Sequence, residues 1–280
     1  MRSIPLIFLL LPWAVLAAAP TQGQSAPPAL TPPQAQALVD RALAAELRSA
    51  QDKSHPMRFR LRKTSPRLTS TKEIVETKDG AVACLVSLFD KPLSQDQEQW
   101  EQARLETLLN DPSRQRHRQQ GEEGDIGIVL KLLRMLPDAY LYEYSGAASS
   151  PAGPAQKFTF RPNPKFSPPD FETKALTALT GEIQIDAVQE RVTRLEGHLQ
   201  QDTDYAWGIL GKLDKGGWIV IEQADVGDHR WRIARFKMQM SLRVLFKEKS
   251  FDTTEEMTQY APVPQGIDYR QAIKMLRSGQ

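Results

Sequence analysis

The strongest constraint on this chain is a row of apolar residues at every second position near its C-terminal end. The row comprises Ala234, Phe236, Met238, Met240, Leu242, Val244 and Phe246, and the residues between them are polar except Leu245. Successive side chains of a β-strand point to opposite faces, so the row predicts a strand with one apolar and one polar face. Such a strand would extend roughly 40 Å, well beyond an ordinary one. We therefore expect a large, curved antiparallel sheet with one apolar face.

Other segments add strands to this sheet. Met57, Phe59 and Leu61 alternate with arginines, and residues 68–77 and 81–89 flank Asp79-Gly80, a strong hairpin signal. Beyond Leu179 the strand pattern dominates, with a predicted hairpin over residues 181–199. No internal repeat or linker divides the chain, so residues 31–280 are predicted to form a single α+β domain.

Three helices are predicted to accompany the sheet. Thr31 with Gln34, and Ser94 with Gln97, have the spacing of a capping box, and each pair precedes an amphipathic segment. Residues 126–136 are apolar nearly all round, which predicts a buried helix that ends at Pro137. The polar residues 110–124 are predicted to form a mobile excursion.

The first residues are typical of a secretory signal. Residues 1–17 combine Arg2 with an apolar segment too short to span a bilayer and a small-residue cleavage site. The alternative is an uncleaved anchor. Residues 18–30 are rich in Ala, Pro, Gln and Ser, which predicts a flexible leader. No cysteine follows the apolar segment, so we expect no lipid anchor. The mature protein is expected in the periplasm and is not expected to span the membrane.

Composition excludes several functions. Cys84 is the single cysteine, so no intramolecular disulfide forms, and its position in an apolar strand pattern predicts a buried thiol. The net charge of +2 is too balanced for a general nucleic-acid binder.

The chain shows no motif that predicts catalysis. We find no GxSxG elbow, phosphate loop, HExxH or paired-cysteine motif, and we expect no enzymatic activity, metal or cofactor. His198 and His229 could approach each other near Asp202, but surface histidines are the better interpretation. A secreted hydrolase is the weakest of three hypotheses.

A basic strand offers a contact for anionic groups. Arg58, Arg60 and Arg62 project from one face of a predicted strand, and arginine binds phosphate and carboxylate in a bidentate way. They could contact anionic lipid headgroups or an acidic envelope protein partner. The simpler interpretation is the polar face of an antiparallel sheet.

The apolar row is the best functional indication. Methionine is flexible and polarizable, and it suits irregular apolar contacts. We expect Phe236, Met238, Met240, Leu242 and Phe246 to bind a lipid or another apolar ligand, under a cover formed by Ile128, Leu132 and Met135. The row could instead only pack the core. The second hypothesis is an envelope protein-interaction or assembly module without a small ligand.

The order of these elements resembles the lipoprotein carriers of the LolA and LolB type. The segment Leu179–Asp186 followed by Arg191–Leu195 looks like a hairpin common in those proteins. The resemblance implies an open half-barrel whose concave apolar face is covered by helices. Shorter segments are similar to an uncharacterised family of secreted bacterial proteins, which implies no activity. These segments are Glu76–Gly80, Lys91–Ser94, Phe160–Pro164, Lys215–Trp218 and Tyr260–Pro264.

Overall fold

A computed structural model describes residues 30–151, 153–205, 211–244 and 247–278. The predicted signal and leader segments and Phe246 therefore lie outside the described residues. The helices are α1 (Pro32–Gln51), α2 (Gln95–Asn110), α3 (Pro112–Ala139), α4 (Phe171–Lys174) and α5 (Tyr269–Ser278), and a short 3₁₀ helix spans Ala175–Ala178. The strands are β1 (Met57–Ser65), β2 (Leu68–Val75), β3 (Val82–Leu88), β4 (Lys91–Pro92), β5 (Tyr140–Ser150), β6 (Gly153–Pro162), β7 (Leu179–Asp186), β8 (Val192–Leu199), β9 (Thr203–Tyr205), β10 (Gly211–Leu213), β11 (Trp218–Asp225), β12 (Trp231–Val244) and β13 (Lys247–Pro262).

The described strands form one antiparallel sheet. Its order is β4-β3-β2-β1-β13-β12-β11-β8-β7-β6-β5, and β10 pairs with β12 and β9. β1 pairs with β13, so the N-terminal hairpin and the last strand lie side by side at the centre. The two end strands, β4 and β5, do not pair with each other, so the sheet is open. The predicted α+β class with a large open antiparallel sheet is confirmed.

The pairing register assigns each side chain to one of two faces. Residues paired across neighbouring strands share a face. Arg62, Glu256, Arg235, Glu222 and Arg194 form one such line of pairs, and we call their side the charged face. The opposite side, which we call the apolar face, carries Phe236, Met238 and Met240 of β12. The alternation in the sequence thus predicts the two faces correctly.

The first hydrophobic core lies on the apolar face. The capping box at Thr31 begins α1, which then presents Leu38, Val39, Ala42 and Leu43 to β5, β6, β7 and β8. Phe158 and Ile183 are completely buried in this core, and the C-terminal part of α3 packs beside them. This end of the sheet is therefore covered on its apolar face by α1 and α3.

The second hydrophobic core lies on the other face. Val75, Val82 and Cys84 share a face with Glu73, whose carboxylate binds Arg60 on the charged face. Leu105 of α2 and Ile273 of α5 pack on them and are fully buried. Ser94 caps α2 as predicted. The helices thus pack on the sheet in two groups, one on each face and each at its own end.

The single helix α3 corrects two predictions. Residues 110–124 do not form a mobile excursion, because Asp111 caps a helix that begins at Pro112 and ends at Ala139. Pro137 lies inside this helix instead of ending it. The predicted burial of residues 126–136 is also wrong, since Ile126 and Ile128 are 41% exposed and Val129 is 50% exposed. These three side chains belong to neither core of the described structure.

Candidate functional site

The apolar row occupies the centre of the apolar face. Phe236 pairs with Ile221 of β11, Met238 with Ile219, and Met240 with Phe251 of β13. Leu242 pairs with Leu213 of β10. The described part of the row is half-buried. Among the described residues, β12 ends at Val244 and β13 begins at Lys247.

The row lies next to the first core on the apolar face but is not part of that core. Leu195 of β8 packs against the first core and pairs with Ile221, which pairs in turn with Phe236. Within the described part of the chain, Phe236, Met238, Met240 and Leu242 are in neither core. An apolar band thus extends from under α1 to the middle of the sheet, where the packing of the helices stops.

α3 connects two opposite corners of the sheet. Near its start, the side-chain amide of Gln115 donates a hydrogen bond to the Asp79 carbonyl (2.7 Å), and Glu122 accepts one from the Ala81 N–H (2.8 Å). Both acceptor and donor lie in the β2–β3 turn. Its last turns pack on the first core, and the Tyr142 hydroxyl donates to the Leu136 carbonyl (3.0 Å). With 28 residues, the helix is roughly 42 Å long, and it packs on α1, α2, α4, the 3₁₀ helix and β5.

The predicted cover is only partly assembled. Leu132 and Met135 pack against the first core beside α1, whereas Ile128 is exposed. The centre of α3 therefore carries exposed apolar side chains, and the C-terminal part of the same helix covers one end of the apolar face. Ligand binding by the row and by these three residues stays a prediction.

The predicted basic strand is part of a mixed-charge surface. Arg60 binds Glu73 (2.9 Å), and Arg62 binds both Asp90 (2.7 Å) and Glu256 (3.1 Å). Hydrogen bonds and charge from the carboxylates raise the pKa of Arg62, and the Arg62 guanidinium lowers the pKa of Asp90. Arg58 differs from both, since it forms no ion pair with any described residue. A contact of the three arginines with an anionic group stays a prediction.

The charged pairs continue across the whole face. Arg235 lies 3.8 Å from Glu256 and 3.2 Å from Glu222. Arg194 binds both Glu222 and Glu196. Glu196 also binds His198, at 2.8 Å. Hydrogen bonds from Arg194, and then from His198, lower the pKa of Glu196. The result is a chain of alternating charges across β1, β13, β12, β11 and β8. Sequence reasoning missed the acidic members because they lie on strands far apart in the chain.

A cavity of about 1100 Å³ opens on the charged face. Its lining extends from Ser87 of β3 and Asp90 to Gln184 of β7 and to Pro151 in the β5–β6 turn. β3 and β7 are seven positions apart in the sheet, which would be roughly 34 Å in a flat sheet. A cavity of this volume can touch both only if the sheet curves strongly around it.

The remaining candidates do not form a site. His198 pairs with Trp218 at the start of β11, whereas His229 follows the end of β11 at Asp225. The length of β11, roughly 23 Å, separates the two histidines, so they do not meet near Asp202, and both are exposed. No group of three or more metal-ligating side chains occurs within the described residues. Cys84 is buried as predicted, and burial followed by the charge of Glu101 raises the pKa of its thiol to about 11.

Comparison with known proteins adds little. No family model matches the chain, and no curated protein matches it. A solved structure from Vibrio parahaemolyticus, a domain proposed to be an outer membrane lipoprotein-sorting protein, aligns with 86% of this chain and 98% of its own length. The identity is 9% and the TM-score is 0.31. Backbones that differ this much carry no argument about function. None of the described helices is long and apolar enough to cross a membrane.

Proposed function

We propose that the protein binds a lipid or another apolar ligand between the apolar row of β12 and the centre of α3, without catalysing a reaction. One observation carries the proposal: an apolar row in the middle of the sheet belongs to neither core and lies on the same face as α1 and the C-terminal part of α3. Apolar side chains left outside the core mark a binding surface when they are contiguous. The row and the helix centre supply two such surfaces.

Both surfaces are accessible. α3 is held at the β2–β3 turn and at the first core, and between these two contacts Ile126, Ile128 and Val129 are exposed. The described part of the row is half-buried. A ligand with long apolar segments would bury both surfaces, and each buried CH₂ group stabilises the complex by about 0.8 kcal/mol.

The cellular location of the protein and its class, a carrier, are part of the same proposal. The apolar segment in residues 1–17 supports export to the periplasm, where carriers shield apolar molecules from water. The resemblance to lipoprotein carriers in the order of elements supports a carrier role. The alternative is an envelope interaction module, in which a partner protein and not a small molecule covers the row.

Met240→Arg tests the site, and Gln239→Arg is its matched control. Both changes lie on β12, but Met240 points to the apolar face and Gln239 to the charged face. Binding of a fluorescent fatty acid should be lost in Met240→Arg and retained in Gln239→Arg. Circular dichroism should show that both variants are folded, because the row is outside the cores. If Met240→Arg unfolds the protein, the row is core and the proposal is wrong.

Val129→Asp tests the helix side independently. Val129 is half-exposed and in neither core, so the variant should fold normally and bind the fatty acid more weakly. Native mass spectrometry of the protein purified from its host, followed by extraction, would identify a bound lipid. A protein without any lipid that also fails to bind the fatty acid would favour the interaction module.

A further inference from the structure

The cavity on the charged face has no role in binding at the apolar row, because the two lie on opposite sides of the sheet. Its volume of about 1100 Å³ lies just above the range for small-molecule pockets, roughly 300–1,000 Å³. It therefore has room for a ligand of several linked rings.

The charges of the lining are nearly balanced. Four arginines face three carboxylates, and each of these groups is paired with an opposite charge; the seven are Arg60, Arg62, Arg194, Arg235, Asp90, Glu222 and Glu256. An anionic ligand would have to displace carboxylates from the arginines and would meet the carboxylates it displaced. A cationic ligand would meet the same difficulty with the arginines. An apolar ligand would remove all these charges from water at high cost.

A neutral ligand with many hydroxyl groups avoids these costs. A hydroxyl both donates to a carboxylate and accepts from a guanidinium, so it can bind to the ion-pair chain without breaking it. The arginines keep N–H groups for this purpose, since a guanidinium has five donors. Arg235 donates one hydrogen bond, to Glu222, and lies 3.8 Å from Glu256. The buried Nε of Arg60 has no hydrogen-bond partner among the described residues.

The rest of the lining fits the same kind of ligand. Thr71, Ser87 and Thr258 add hydroxyls, and Val86 and Pro92 add small apolar surfaces. Sugar rings present hydroxyls at their edges and C–H groups on their faces, so they need both types of contact. The geometry points to a binding site for a neutral oligosaccharide in this cavity.

Isothermal titration calorimetry of the whole protein with cellotetraose, maltotetraose and tetra-N-acetylchitotetraose tests the inference. At least one should bind, with an affinity that is the same at low and high salt. Arg235→Ala should weaken this binding about tenfold or more, because it removes charged donors. Arg277→Ala is the matched control, since Arg277 is a surface arginine of α5 paired with Glu106, and it should bind like the wild type.

One further variant shows whether the sugar occupies the cavity. Ala224→Trp should block the cavity without removing any charge, because Ala224 lines it and lies on the charged face two residues from Glu222, and it should also abolish binding. The fatty-acid test of the apolar row concerns the opposite face of the sheet, so this inference and the proposed function fail independently. Failure of all three sugars to bind overturns the inference, as does salt-sensitive binding of inorganic phosphate in their place.

Discussion

Glu46 holds α1 on the sheet, and its replacement should be costly. Its two carboxylate oxygens accept hydrogen bonds from the Arg191 guanidinium (2.8 and 3.0 Å), from the Val192 N–H (3.0 Å) and from the Gln223 amide (2.9 Å). The side chain of Glu46 is 10% exposed and that of Arg191 is 13% exposed. Both charged groups are therefore largely shielded from water.

The expected loss can be estimated from these contacts. Removing one partner of a buried ion pair costs about 3–5 kcal/mol, because the other charge stays buried and unpaired. We expect Glu46→Ala to lower the free energy of unfolding by about 3–4 kcal/mol, a large part of the roughly 5–15 kcal/mol of a typical protein. Glu46→Gln keeps one acceptor oxygen and should cost about half as much.

Urea unfolding followed by circular dichroism measures this loss. Arg41→Ala is the control, since Arg41 also joins α1 to the β7–β8 turn through Glu190, but the pair is exposed, with side chains 56% and 39% accessible. It should leave stability unchanged. The double variant Glu46→Ala, Arg191→Ala should cost less than the two single changes together, because no unpaired charge remains. A loss under about 1 kcal/mol for Glu46→Ala would refute the reasoning.

Burial governs three other expected outcomes. Burial raises the pKa of the Cys84 thiol to about 11. At neutral pH this thiol should react with a disulfide reagent far more slowly in the folded protein than in the urea-unfolded protein. Equal reaction rates would contradict its burial. Burial also raises the pKa of Glu76, whose carboxylate accepts the Met57 N–H. The charged form of this carboxyl therefore destabilises the fold at pH values above the ordinary pKa of a glutamate. Glu76→Gln should be more stable than the wild type at neutral pH, and the difference should vanish as the pH falls below that ordinary pKa. A difference that stays constant across pH would show another cause. Leu105→Ala should lower the free energy of unfolding, measured in urea, by about 2–5 kcal/mol. Leu68→Ala is the control at an exposed leucine and should lower it by under about 0.5 kcal/mol. Similar losses of stability in the two variants would place Leu105 outside the core.

Local patterns predicted the elements with strong periodicity and clear ends. The capping boxes at Thr31 and Ser94 begin helices as expected, and the alternation in β12 defines the two faces. The first half of α3 escaped prediction because it is polar and contains glycines, which favour a loop. The ends of the helix are instead held by contacts with the β2–β3 turn and with α1, which local propensity does not report.

Long-range pairing was beyond the reach of the sequence. Nothing near Arg62 indicates that Glu256 lies beside it, because the contact depends on the pairing of β1 with β13. The cavity on the charged face likewise depends on the twist of the whole sheet. The apolar row was visible because it lies on one strand, whereas the charged chain crosses five strands and needs the sheet order to be seen.

The second core has a consequence for how the chain is made. Val75, Val82 and Leu105 are buried only when Val263 and Ile273 pack with them, and about 160 residues separate Leu105 from these partners. A ribosome delivers the earlier residues first, so the first hairpin and α2 must wait with their apolar surfaces uncovered until the final helix emerges. During that interval a chaperone or an export factor has an accessible, unfolded segment to hold. A truncation that removes α5 would prolong that exposure indefinitely and should increase aggregation and proteolysis.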